Sequence, residues 1–130
     1  MGTAAELMQR IMSMKFPWNA WIVLLGIVNM AGGIIYFSTL EGKLALVALL
    51  LSFAVMVAVF AKHGFVRLLG LGHIVGWVPL VILFVIRLGQ GAGGLFKAWL
   101  ITVIFLNTLS LMLDITDVAR YLRGDTSEMP

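Results

Sequence analysis

The chain has 130 residues, of which 62% are hydrophobic and only 12% charged, and its mean hydropathy is +1.07. A soluble domain carries roughly 25% charged residues, so this composition excludes an ordinary water-soluble globule. The absence of cysteine excludes disulfides, thiolate metal sites and cysteine nucleophiles together, and a net charge of +3 spread over loops gives no argument for nucleic acid.

Charges bound four long apolar runs. Lys15 to Glu41 encloses 25 residues without formal charge, Lys43 to Lys62 encloses 18, Arg67 to Arg87 encloses 19, and Lys97 to Asp114 encloses 16. A hydrocarbon core of ~30 Å takes about 20 helical residues to cross. These runs predict an all-α integral membrane four-helix bundle with spans near 18–38, 44–62, 66–88 and 96–116. The first run is longer than the roughly 7–15 residues of a signal-peptide core, so it is read as a span. An interfacial segment over 1–16 precedes the single transmembrane domain at 17–118, and a polar tail at 119–130 follows.

Residues 4 to 15 read as an amphipathic helix. Glu6, Gln9, Arg10 and Ser13 fall on one side, and Leu7, Met8, Ile11 and Met14 on the other. Such a helix anchors at an interface, and the sharper alternative is a lid or a partner-binding element. Pro17 then separates it from the first span.

In the first span Asn19, Gly26 and Gly33 repeat every seven residues, with Asn29 and Tyr36 near the same line. Small residues let helices approach and amides find partners across the contact, so this face is expected to meet protein. The second span has two small-residue faces, Ala54, Ala58 and Ala61 on one side and Ala45, Ala48 and Ser52 on the other. That pattern suits an interior or subunit-contacting position. In the third span Arg67, Gly70, His73 and Trp77 share a side, and Pro79 removes a backbone donor where a kink is expected.

The loop that follows, "LGQGAGGLF", formally contains G-x-G-x-x-G at Gly89, Gly91 and Gly94. A phosphate-binding version requires a strand before it and a helix N-terminus after it, so a hairpin between helices is the reading.

Span four carries a polar stripe. Asn107, Ser110, Asp114, Asp117 and Tyr121 recur at spacings of three, four, three and four. Lipid cannot satisfy such groups, so they are expected to turn inward. Matching depths pair Arg67 with Asp114 or Asp117, Gly70 with Ser110, and His73 with Asn107, with Gly26 closing the third side. The candidate ligand- or ion-binding residues are therefore Asn29, Arg67, His73, Trp77, Asn107, Ser110, Asp114 and Asp117. No residue is assigned a catalytic role and no metal site is expected. No cofactor is expected either, with haem held between two copies of His73 as the alternative. The stretch Asp114, Asp117, Ala119 and Arg120 superficially resembles the opening of the CDP-alcohol phosphatidyltransferase motif. Val118 stands where that motif requires glycine, Ala-Arg comes one position early and the second aspartate pair is missing, so the family is set aside.

Lys and Arg fall six to three by side: Arg10, Lys15, Lys62, Arg67, Arg120 and Arg123 against Lys43, Arg87 and Lys97. The positive-inside rule then puts both termini in the cytoplasm, with a bacterial inner membrane as the expected location. The functional expectation is a small self-associating membrane protein that binds a small molecule, lipid or membrane-protein partner through a polar cavity between spans three and four. A proton-linked transporter or channel using His73, Asn107 and Asp114 is the alternative.

Overall fold

Good helix formers without a β-branched run carry the first helix, α1 (Gly2–Met12), in the computed structural model, which describes residues 2–126. Leu7 and Ile11, one turn apart, are buried with Met56, Phe65 and Leu69. Met8 and Met12 stay exposed. The apolar face of α1 thus docks on one end of the helices that follow, along a stripe narrower than the periodicity suggested.

Four longer helices come next: α2 (Trp18–Ile35), α3 (Leu40–His63), α4 (Gly70–Gly89) and α5 (Gly94–Leu122). A 3-10 turn over Arg67–Leu69 leads into α4. Each is long and apolar enough to cross a membrane. Short connections make sequential helices antiparallel neighbours, and α5 returns to pack on α2 as well as α4. The side chains of Ile27, Ile34, Leu50, Ile82, Phe105 and Met112 are each more than half exposed. An apolar belt of this kind would drive aggregation in water and is at home in hydrocarbon.

Local chemistry explains where the helices stop. Thr39 caps α3, which starts at Leu40, four residues before the expected limit: its Oγ1 accepts from the Gly42 N–H at 3.0 Å and donates to the Tyr36 carbonyl at 2.6 Å. Gly64 ends α3 with φ at 81°. The helix α4 continues through Pro79 without interruption. At the far end α5 runs six residues past the expected limit, to Leu122. Its 29 residues make a rod of ~43 Å at ~1.5 Å per residue, longer than a ~30 Å hydrocarbon core. Gly124, at φ 111°, then reverses the chain. The Asp125 N–H reaches the Arg120 carbonyl at 3.0 Å and the Gly124 N–H reaches the Tyr121 carbonyl at 3.0 Å, a Schellman closure.

The main core lies between the long helices, with Trp77, Leu80, Phe84, Leu100 and Val103 at its centre. A second cluster joins α1 to the same bundle end. Leu7→Asp is expected to undock α1, because a carboxylate at that fully buried position has no partner. Tryptic cleavage at Arg10 and Lys15 should accelerate about tenfold or more while the helical circular dichroism of the long helices persists. Unchanged cleavage would mean that α1 is not held by this contact.

Candidate functional site

The polar stripe of α5 is graded by depth. Asn107 is 0% and Ser110 3% exposed, while the side chains of Asp114 and Asp117 are 13% and 35% exposed. The stripe therefore starts in the core and emerges at the end of the bundle on which α1 sits.

At its deep end Asn107 does not meet His73. It forms a reciprocal amide pair with Asn29 of α2: Asn29 Nδ2 donates to Asn107 Oδ1 at 2.9 Å, and Asn107 Nδ2 donates to Asn29 Oδ1 at 3.0 Å. The second Nδ2 proton of Asn29 goes to the Leu25 carbonyl at 2.8 Å. Each amide both donates to and accepts from the other, two bonds where an amide and an imidazole would make one. About two turns along α5 toward the opposite end, Trp99 Nε1 donates to the Val28 carbonyl at 3.1 Å and its ring lies against Gly32. These contacts tie α2 to α5. Gly26, expected to close the site, has open space where a side chain would project, and among the described residues Asn19 accepts only from the adjacent Ala20 N–H.

His73 pairs with Asp114 instead. Its Nδ1 lies 3.0 Å from Asp114 Oδ2, a charge-assisted contact in which the carboxylate accepts. Ser110 Oγ also points to that oxygen at a longer 3.5 Å. Gly70 permits the approach, since a Cβ there would sit 3.1 Å from the Asp114 backbone. The imidazole stacks on Trp77 one turn along α4, with ring centroids 4.3 Å apart and planes 3° from parallel. A carboxylate on one edge and an indole on one face fix the orientation of His73.

Arg67, expected to pair with Asp114 or Asp117, lies beside the second of these, at the outer part of the stripe. Its Nε lies 3.8 Å from Asp117 Oδ1 and its Nη1 3.4 Å from Asp125 Oδ1. Arg120 Nη2 donates to Asp125 Oδ2 at 2.7 Å. Asp125 was not among the expected residues. The Gly at the helix end was its only signal, because the Schellman turn is what brings it back over both guanidiniums. Tyr121 ends the stripe 3.5 Å from His63 Nδ1.

These groups open onto a cavity of about 320 Å³ at the α1 end. His73, Asp114, Asp117, Arg67 and Arg120 form its polar side, and Ile11, Met14, Trp21, Ile22 and Met56 its apolar side. Sequence reasoning missed Trp18 and Trp21, which line it, because aromatic residues at a span end read equally well as interface anchors. Among the described residues the buried Nε1 atoms of Trp21 and Trp77 have no acceptor. No group of three or more histidine or acidic side chains placed to hold a metal occurs among the described residues. The arrangement can hold a ligand against apolar walls, or move a proton between His73 and Asp114. No known protein family, curated protein or solved structure matches this chain.

Proposed function

We propose that this chain is a membrane protein that binds a small molecule in the cavity at the α1 end, with His73 and Asp114 as its polar contacts. The observation that supports the reading is the cavity itself. Its volume of about 320 Å³ lies in the range of small-molecule sites, roughly 300 to 1,000 Å³, which are mostly apolar with a few convergent polar groups. In the orientation drawn from the basic residues, both termini and the cavity mouth are cytoplasmic and the membrane is a bacterial inner membrane. The exposed alanine face of α3, at Ala54, Ala58 and Ala61, supports self-association through close helix contact.

Native mass spectrometry on gently extracted protein tests the binding reading. Wild-type protein should retain a defined non-covalent mass, and Ile22→Trp, which fills the cavity, should lose it with unchanged circular dichroism. Protein that emerges bare from several mild detergents would count against a ligand. The absorbance of the same sample would disclose haem by its Soret band.

A second reading, proton-linked transport, has a specific observation in its favour: an imidazole and a carboxylate held 3.0 Å apart inside a membrane bundle. Proton flux into dye-loaded liposomes should then disappear in His73→Ala. Flux equal to that of empty liposomes would remove this alternative.

A further inference from the structure

A second, wholly apolar groove of about 510 Å³ runs between α2 and α5 beside the cavity, and Trp18, Trp21 and Leu113 line both. Leu24 and Met112, on its two sides, are 44% and 61% exposed, so the groove opens outward to the lipid-facing surface. This pair of recesses adjoins along Trp18, Trp21 and Leu113, with the apolar belt on one side and the His73–Asp114 pair on the other. We infer that it takes a membrane amphiphile with a quaternary ammonium headgroup, the head beside Asp114 and the alkyl chain in the α2–α5 groove. The inference deepens the ligand-binding reading above and rests on it.

Charge selects the headgroup. Among the described residues the Arg67 guanidinium engages Asp117 and Asp125, and the Arg120 guanidinium engages Asp125. Asp114 is left with His73 and Ser110, both on Oδ2. Its Oδ1 has no hydrogen bond among the described residues, and the side chain is only 13% exposed. A carboxylate so placed favours a cation. The indoles of Trp18 and Trp21 in the same wall attract cations through their ring quadrupoles. A primary ammonium would bring three N–H groups, more than the open Asp114 Oδ1 can accept, whereas a quaternary ammonium brings none. The apolar groove accommodates the chain without any polar group to desolvate.

The test uses full-length protein in neutral maltoside micelles and tryptophan quenching by three amphiphiles with one brominated dodecyl chain. Their headgroups are trimethylammonium, maltoside and sulfate. The cation should half-saturate quenching at a concentration about tenfold below the neutral analogue. Asp114→Asn should bring the two within about twofold, while Glu41→Gln, which removes the same charge near the opposite end, should leave the preference intact. Equal half-saturation by cation and neutral analogue, or a preference that survives Asp114→Asn, would overturn the headgroup assignment and leave the cavity reading standing. A preference for the sulfate would overturn it in favour of Arg67 and Arg120. Unsaturable quenching by all three would overturn both readings. The headgroup comparison needs wild-type protein alone, so it decides the point even if Asp114→Asn does not fold.

Discussion

Gly76→Leu is expected to destabilise the bundle by about 3 kcal/mol, the upper part of the usual range for overpacking a core. Helices α3 and α4 meet through small residues on both sides. A Cβ at Gly76 would lie 2.8 Å from the Ala48 carbonyl oxygen and would run into Ser52 Oγ, and one at Gly72 would lie 2.6 Å from the Ser52 carbonyl oxygen. Those atoms are mostly backbone of a packed helix and cannot rotate away. Ala45, Ala48 and Ser52, which form the facing surface, are themselves buried. The larger side chain can enter only if the helices separate, which would also loosen the packing of Trp77 and Leu80 in the main core. Gly26→Leu is the matched control, because nothing stands within 4 Å of a Cβ at that position. Reversible unfolding in mixed micelles should show a large loss for Gly76→Leu and almost none for Gly26→Leu. Equal effects at the two sites would refute this packing.

Asn107→Leu is expected to cost about 1–2 kcal/mol, and Asn29→Leu a similar amount. Each replacement leaves the opposite amide buried at 0% exposure without its partner. Removing both should cost less than the sum of the single changes, since two apolar side chains meeting there leave no orphaned donor or acceptor. A double-mutant cycle should give a coupling of about 1 kcal/mol, again by unfolding in mixed micelles. Strict additivity would mean that the two amides do not interact. The same cycle for His73→Ala and Asp114→Ala at the cavity wall would report the strength of the imidazole–carboxylate contact separately.

Much of the site is legible in the sequence. Asn107, Ser110, Asp114 and Asp117 were marked by helical spacing, and Arg67, Gly70, His73 and Trp77 by a shared side of the preceding span. The two faces do meet, at Gly70 against Asp114 and His73 against Asp114. The partners within the faces were less readable. Counting residues from helix ends gives depth to within about one turn, and one turn separates Asn107 from Ser110 and Ser110 from Asp114. Asn29 lay on the expected interior face of the first span, but its bond to Asn107 depends on α5 packing against α2. That neighbour relation is not encoded in either helix alone.

By itself the sequence determined that the chain is helical, that four helices can cross a membrane, and which few polar residues turn inward. Those properties follow from local rules: backbone groups in hydrocarbon must bond within their own segment, and polar side chains avoid lipid. Only the tertiary structure decided that α1 seats Leu7 and Ile11 on the bundle end, that Asp125 folds back over Arg67 and Arg120, and that a cavity remains between them. Cavities and ion-pair partners depend on how several helices are rotated and spaced against one another. A rotation of one residue, ~100° on the helix, exchanges every partner while leaving each helix's own pattern unchanged.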